Sequence, residues 1–267
     1  MHVSEVHMSL RKKRLDVLLV ERGLASSRER AHGMILANLV LVEDQPADKP
    51  GHSFPENANI RLRGSDHPYV SRGGIKLAAA LDHFGIAVSG RVAMDVGAST
   101  GGFTQVLLLR GIARVHAIDV GHNQMDWKIR TDPRVKVIEK VNARSLEYSL
   151  LSEKVGIVVV DVSFISLEKI LPSTLQFSDS KTDWITLIKP QFEVGREKVG
   201  KGGIVQSADD RQEVVGRLTR FAETLGLHRV GLIDSPITGT DGNIEFLAHW
   251  KRLERASLNE SLEPQAI

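Results

Sequence analysis

The chain has 267 residues, 42% of them hydrophobic and 25% charged, with a net charge of +2, which suits one large domain and a smaller appendage. It contains no cysteine, which removes disulfides and thiolate chemistry, and its ten histidines are scattered without ligand spacing, so no metal site is expected. So small a charge does not by itself point to nucleic acid. The first residues hold no apolar stretch of signal-peptide length, and no run nears the roughly 20 apolar residues of a bilayer span, so a cytoplasmic location is expected.

Residues 1–12 are expected to be a flexible start. Arg11-Lys12-Lys13-Arg14 leads into a helix with Leu15, Val17, Leu18 and Leu19, and a second helix begins after Gly23, capped by Ser26 or Ser27, and runs to about Leu36. Leu39 to Val42 reads as a strand, Glu43-Asp44-Gln45 as a turn, and Asn59 to Leu62 as a closing strand, with Pro50-Gly51 and Pro55 as punctuation. These elements define a small domain over 13–64. Their order resembles the small RNA-binding module shared by a small-subunit ribosomal protein, several pseudouridine synthases and tyrosyl-tRNA synthetases. That resemblance implies phosphate contacts from Arg11, Lys12, Lys13, Arg14, Arg28 and Arg30. The plainer alternative is a solvated basic helix face.

A polar, proline-containing stretch over 65–70 reads as a linker, and a helix from Val70 to Leu81 carries near its start Arg72, an expected RNA contact, and Lys76. Strands are predicted near 91–96, 114–119, 135–138, 156–161, 184–189, 228–234 and 243–249, with helical patterns between most of them. Such alternation implies an α/β fold, a Rossmann-like, mostly parallel sheet covered on both faces. The last two strands are joined by a segment too short for a crossover helix, so they should form an antiparallel hairpin. This second domain spans 71–252, and the polar tail over 253–267 is expected to be disordered.

The stretch Met94-Asp95-Val96-Gly97-Ala98-Ser99-Thr100-Gly101-Gly102-Phe103 follows an apolar run and precedes an apolar helical pattern, so it reads as strand, glycine-rich turn and helix start. Gly97, Gly101 and Gly102 let a ligand approach the main chain, and the following helix offers unpaired N–H groups. The next strand ends in Asp119, placed to accept hydrogen bonds from both hydroxyls of a ribose. Ser99 stands where the dinucleotide fingerprint needs its middle glycine, which disfavours a pyrophosphate. S-adenosylmethionine (SAM) carries a sulfonium and an amino acid there instead, and makes Asp95 intelligible beside positive charge. A nicotinamide cofactor and an ordinary glycine turn are the other readings.

In open parallel sheets, ligands sit at the carboxyl ends of the strands. Asp161 ends one strand, Lys189 ends another with Pro190 behind it, and Glu245 falls inside the final hairpin strand. A charged residue within each apolar run should face solvent, a partner or a site, because burying it unpaired is costly. With Lys76 on the preceding helix, they form one candidate rim.

Here the sequence resembles the TlyA-like proteins, sometimes labelled haemolysins, whose catalytic domain is similar to FtsJ-type ribose 2′-O-methyltransferases. The motifs that carry the resemblance are S-R-G-G-I-K-L, V-V-V-D-V-S-F-I-S, L-I-K-P-Q-F-E and G-N-I-E-F-L, over about residues 13–252. The resemblance implies a Lys-Asp-Lys-Glu tetrad of Lys76, Asp161, Lys189 and Glu245, and adenine contact by Asn142. It also implies SAM as cofactor and ribosomal RNA or ribosomal subunits as partner, with cytidine riboses as targets, and neither DNA nor a membrane. The linker segment His67-Pro68-Tyr69-Val70 lacks the Trp found in some relatives.

Methyl transfer to a ribose hydroxyl needs the oxygen aligned with the methyl carbon and its proton removed, so positioning and proton transfer share the work. Lys189 is the expected proton acceptor. A nearby cation, Lys76, favours its neutral state, carboxylates oppose that, and Asp161 and Glu245 are expected to orient the lysines and the hydroxyl. Two rival functions are a non-catalytic ribosome-assembly factor and a membrane-active cytolysin.

One further string, Gly195 to Lys201, matches the phosphate-loop pattern G-x-x-x-x-G-K. Gly202 replaces the required Ser or Thr, and no strand immediately precedes it. It reads as a basic loop closing on RNA through Arg196, Lys198 and Lys201, or as a plain flexible loop.

Overall fold

The computed structural model describes residues 11–25, 27–62, 67–239 and 241–252, and the chain divides into two compact units, 1–68 and 69–267. The predicted cap Ser26, linker positions 65 and 66, and the tail over 253–267 lie outside the described residues.

In the first unit, strand β1 (Lys12–Arg14) leads into α1 (Leu15–Glu21), then α2 (Arg28–Leu36), whose N-terminus is capped by Ser27 accepting from the Arg30 N–H. β2 (Val40–Val42) is the centre of a three-stranded antiparallel sheet with β3 (Gln45–Pro46) and β5 (Ile60–Leu62). The two-residue turn Glu43-Asp44 takes left-handed φ at both positions, the mirror-image hairpin turn whose twist matches the strands. Leu15, Leu18, Leu19, Ile35 and Val40 fill the core. The sequence predicts that 11–14 run straight into the helix. Instead, Lys12–Arg14 pairs antiparallel with β4 (Ser53–Pro55), because three charged residues take strand form from a partner and not from any pattern of their own.

The second unit begins with α3 (Gly73–Phe84), followed by β6 (Val92–Val96), α4 (Gly102–Leu109), β7 (Arg114–Ile118), α5 (Trp127–Arg130), β8 (Val135–Ile138) and β9 (Ile157–Val160). It continues with α6 (Leu171–Thr174), β10 (Asp183–Ile188), α7 (Pro190–Glu193), α8 (Ala208–Thr224), β11 (Leu227–Asp234) and β12 (Phe246–Arg252). One seven-stranded sheet has the order β11-β12-β10-β9-β6-β7-β8, and β12 pairs antiparallel with both neighbours while the pairings from β10 to β8 are parallel. This is the mostly parallel Rossmann-like sheet with a terminal hairpin that the alternation predicts.

Both faces are buried. Val158 and Val160 of β9 pack with Trp184, Phe177 and Trp250 on one side, and Ile157 and Val159 with Leu77, Leu81 and Leu107 on the other. The period-2 pleat sends neighbours of one apolar strand into opposite layers. Tyr69 and Val70, assigned to the linker from sequence, pack against the second of these layers.

The last strand starts at Phe246 and not near 243 as the sequence predicts, so Glu245 lies just before the strand and not within it. Asn243 Oδ1 accepts from the Val205 N–H and Glu245 Oε1 from Gln191 Nε2 of α7, and the ladder begins where the apolar run does.

Candidate functional site

The sheet order brings the candidate residues to one rim. β6, β9 and β10 run in parallel, so their carboxyl ends place Gly97, Asp161 and Lys189 on the same side. β12 runs the other way with Phe246 opposite Ile188, so the residue preceding it, Glu245, joins that rim. Lys76 comes from the first turn of α3.

The four charged residues form two ion pairs. Lys76 Nζ donates to Glu245 Oε2 in a pair with side chains only 9% and 2% exposed. Lys189 Nζ lies 2.6 Å from Asp161 Oδ1, off the hydrogen-bonding direction, and donates to Ser163 Oγ at 2.9 Å. Gln191 bridges the pairs in sequence: it follows Lys189 by two positions, and its Nε2 donates to Glu245 Oε1 at 3.3 Å.

Beside these residues is a cavity of about 470 Å³ lined by Gly97, Ser99, Asp119, Gly121, Gln124, Asn142, Asp161, Ser163 and Phe164, among others. Asp119 follows the end of β7, and its carboxylate is fixed by two backbone donors, the Ser99 N–H to Oδ2 at 2.7 Å and the Gly121 N–H to Oδ1 at 2.6 Å. Each oxygen keeps a lone pair for a ligand hydroxyl. Asn142 lines the same cavity and also caps a short helical turn, accepting from the Arg144 N–H at 3.1 Å.

The glycine turn works through its shape. Gly97 has φ +84°, and a Cβ there would sit 2.2 Å from the Asp161 carbonyl oxygen, so only glycine lets the β6 and β9 ends approach so closely. A Cβ on Gly102 would meet Ser71 Oγ at 2.1 Å. Thr100, Gly101, Gly102 and Phe103 do not reach the cavity wall; Thr100 accepts from the Asp126 N–H and Phe103 is buried in the core.

Asp95 does not line the cavity either. It is fully buried beneath the turn, accepts from Thr104 Oγ1 at 2.6 Å through Oδ2, and leaves Oδ1 without a partner among the described residues. Burial pushes its carboxyl up to about 7. Its hydrogen bond ties β6 to α4, and its carboxylate is not exposed to a ligand in the cavity.

Three residues near the rim were quoted in the sequence motifs without being given a role. Ser163 receives Lys189, Phe164 is 89% exposed with φ +63° and leans on Phe192 at 4.8 Å, and Gln191 touches Glu245. Exposure and left-handed backbone at Phe164 are visible only in the folded chain; the sequence shows only its place three positions after Asp161.

The basic candidates are partly committed elsewhere. In the first unit, Arg11, Lys12 and Arg30 are exposed, Lys13 pairs with Glu21 and Glu56, and Arg14 and Arg28 converge on the buried Asp16. In the second unit, Arg72 donates to the Thr238 carbonyl, Lys198 pairs with Asp210 at 2.8 Å and Glu213 at 2.7 Å, and Arg196 and Lys201 are exposed. The 195–203 stretch makes two short 3-10 turns after α7, not a strand-to-helix phosphate loop. No cluster of possible metal ligands occurs among the described residues, and no helix among them is long and apolar enough to cross a membrane.

Residues 69–252 match the FtsJ-like methyltransferase model, and residues 13–60 the S4 domain model. A Mycobacterium tuberculosis protein named 16S/23S rRNA (cytidine-2′-O)-methyltransferase TlyA is 44% identical over 91% of this chain and 91% of its own. Hemolysin A of Brachyspira hyodysenteriae is 40% identical over 89% of this chain and 99% of its own. A solved structure from Streptococcus thermophilus, 41% identical, superposes with a TM-score of 0.72 over 92% of this chain and 90% of that one. The chain belongs to the FtsJ-like methyltransferase family, with an S4 domain ahead of the catalytic one.

Proposed function

We propose that the protein methylates the 2′-hydroxyl of a cytidine ribose in ribosomal RNA of the small subunit, the large subunit or both, using SAM, in the cytoplasm. The observation that carries this reading is the convergence of Lys76, Asp161, Lys189 and Glu245 on one rim of the sheet, beside a cavity whose carboxylate, Asp119, is set for a ribose. The cavity residues fit the adenosine of SAM: Asp119 accepts from the ribose hydroxyls, Asn142 meets the base, and Ser99 lines the same cavity at the position where the dinucleotide fingerprint has glycine. When bound, SAM supplies an electrophilic methyl group on a sulfonium.

Lys189 in its neutral amine form accepts the proton of the target hydroxyl as the oxygen takes the methyl group, Asp161 pairs with the ammonium so formed, and Ser163 holds its Nζ in place. Such a positioned acceptor contributes roughly 10² to 10⁴ in rate. The buried Lys76–Glu245 pair fixes the opposite side of the acceptor's surroundings and is itself steadied by Gln191. Phe164, exposed beside Asp161, offers an aromatic face to an unstacked base. The exposed basic residues Arg11, Lys12, Arg30, Arg196 and Lys201 supply phosphate contacts.

The decisive experiment is transfer of labelled methyl groups from SAM to ribosomal subunits lacking their native modification, with the wild-type protein and Lys189→Ala side by side. Label at one alkali-resistant position, absent with the variant, is the expected result. No label on either subunit despite measurable SAM binding would refute the reading, and turnover by Lys189→Ala would refute the acceptor assignment.

A further inference from the structure

Glu193, the last residue of α7, is the second charged residue in the stretch from Lys189 onward and has no role in the chemistry above. Its side chain is only 2% exposed, and both carboxylate oxygens are used. Oε2 accepts from Ser166 Oγ at 2.7 Å and Oε1 from the Leu167 N–H at 2.8 Å. Burial pushes its carboxyl up from the usual range. Arg217 of α8 donates to the Glu193 carbonyl at 2.7 Å, lies 3.6 Å from Oε2, and pairs with Glu168. A buried carboxylate is costly unless its lone pairs are satisfied, so its position here is tied to these donors.

The donors belong to the far end of the 161–166 loop. The near end of that loop is held by Lys189, which contacts Asp161 and Ser163, and its middle by the Phe164–Phe192 ring contact. One short segment, 189–193, therefore grips the loop at three places. Phe164 sits in left-handed backbone, which persists in a non-glycine residue only where the surroundings over-determine it. A four-residue helix has little stability of its own, so the grip orders both partners.

We propose that Glu193 is a positioning residue for methyl transfer, clamping the 161–166 loop to the 189–193 segment so that Asp161 and Ser163 stay set against Lys189. The inference rests on Lys189 as the proton acceptor. Because displacement of a reacting group by about 1 Å costs on the order of 10² in rate, partial loosening should cost kcat about tenfold.

The test uses the full chain with Glu193→Ala, Glu193→Gln, Ser166→Ala and Lys189→Ala, reading kcat, KM for the RNA substrate, and SAM affinity by calorimetry. Glu193→Ala should lose about tenfold in kcat at saturating SAM, and SAM affinity should fall less than kcat: the clamped loop forms one wall of the cavity, but Asp119 and Asn142, which fix the nucleoside end, do not contact Glu193. Glu193→Gln should recover most of kcat, because its amide oxygen can accept from the Leu167 N–H while its NH₂ donates to Ser166 Oγ. Ser166→Ala should fall between wild type and Glu193→Ala, and it decides the matter if the latter does not fold. Wild-type kcat in Glu193→Ala or Ser166→Ala, or a Gln variant no better than Ala, would overturn the clamp. An active Lys189→Ala would overturn the acceptor assignment instead; an inactive one beside a fully active Glu193→Ala would sink the clamp alone.

Discussion

Lys76 and Glu245 stand 169 positions apart in the chain and meet in a buried ion pair at the rim of the sheet. Removing one partner leaves the other charge in an apolar surrounding. Glu245→Ala is expected to cost about 3 kcal/mol in folding free energy, whereas a Lys76→Met/Glu245→Leu double replacement should cost less. Urea unfolding of Glu245→Ala and of the double variant checks this, and a double replacement that loses more than Glu245→Ala would mean that the stranded charge is not what costs stability.

Gly97 tolerates no side chain. Its φ of +84° and a Cβ position 2.2 Å from the Asp161 carbonyl oxygen predict that Gly97→Ala displaces the β6 or β9 end. The backbone strain alone costs about 1 to 2 kcal/mol, and the clash adds to it. SAM affinity should collapse, by calorimetry, in protein that is still folded by circular dichroism.

Asp119 is expected to carry the ribose. Asp119→Ala removes the acceptor of the Ser99 and Gly121 amides as well as that of the ligand hydroxyls. Hydrogen bonds to a charged group contribute about 1.5 to 3 kcal/mol, so SAM should bind about ten- to a hundredfold more weakly. An unchanged dissociation constant would place the ribose elsewhere.

In the first unit, the hydrogen bonds from Arg14 hold the Asp16 carboxyl well below the usual carboxylate range, against the effect of burial, with Arg28 and His32 adding to them. The folded-state value lies below the ordinary 3.8, so this stabilisation is present above that pH and is lost as pH falls through the folded value. Asp16→Asn should lower stability at pH 7 by about 1 to 2 kcal/mol, discounted because Arg14 and Arg28 are half in water. Below about pH 4 the gap between wild type and variant should shrink, read from denaturation at stepped pH.

Much of the second unit is legible in the sequence because burial on both faces writes continuous apolar runs, and each run from Val92 to Ile188 returned as a strand. The glycine turn was equally legible, since positive φ at Gly97 and Gly101 admits few residue types. Asp161 and Lys189 could be singled out because a charge at the end of an apolar run is conspicuous.

Other features depended on partners distant in the chain. Lys12–Arg14 became a strand only through Ser53–Pro55, Asp16 became the hub of Arg14, Arg28 and His32 only when two helices packed, and Asp95 went beneath the loop it seemed to open. Glu245 looked like a strand residue and instead precedes one, where antiparallel β12 returns it to the rim beside Lys76. Glu193 closes the L-I-K-P-Q-F-E motif, but its role depends on Ser166 and Leu167, which its two oxygens meet only in the fold. Periodicity is local and survives in sequence, whereas the partners of a buried charge are set by strand order and by the direction in which each strand runs.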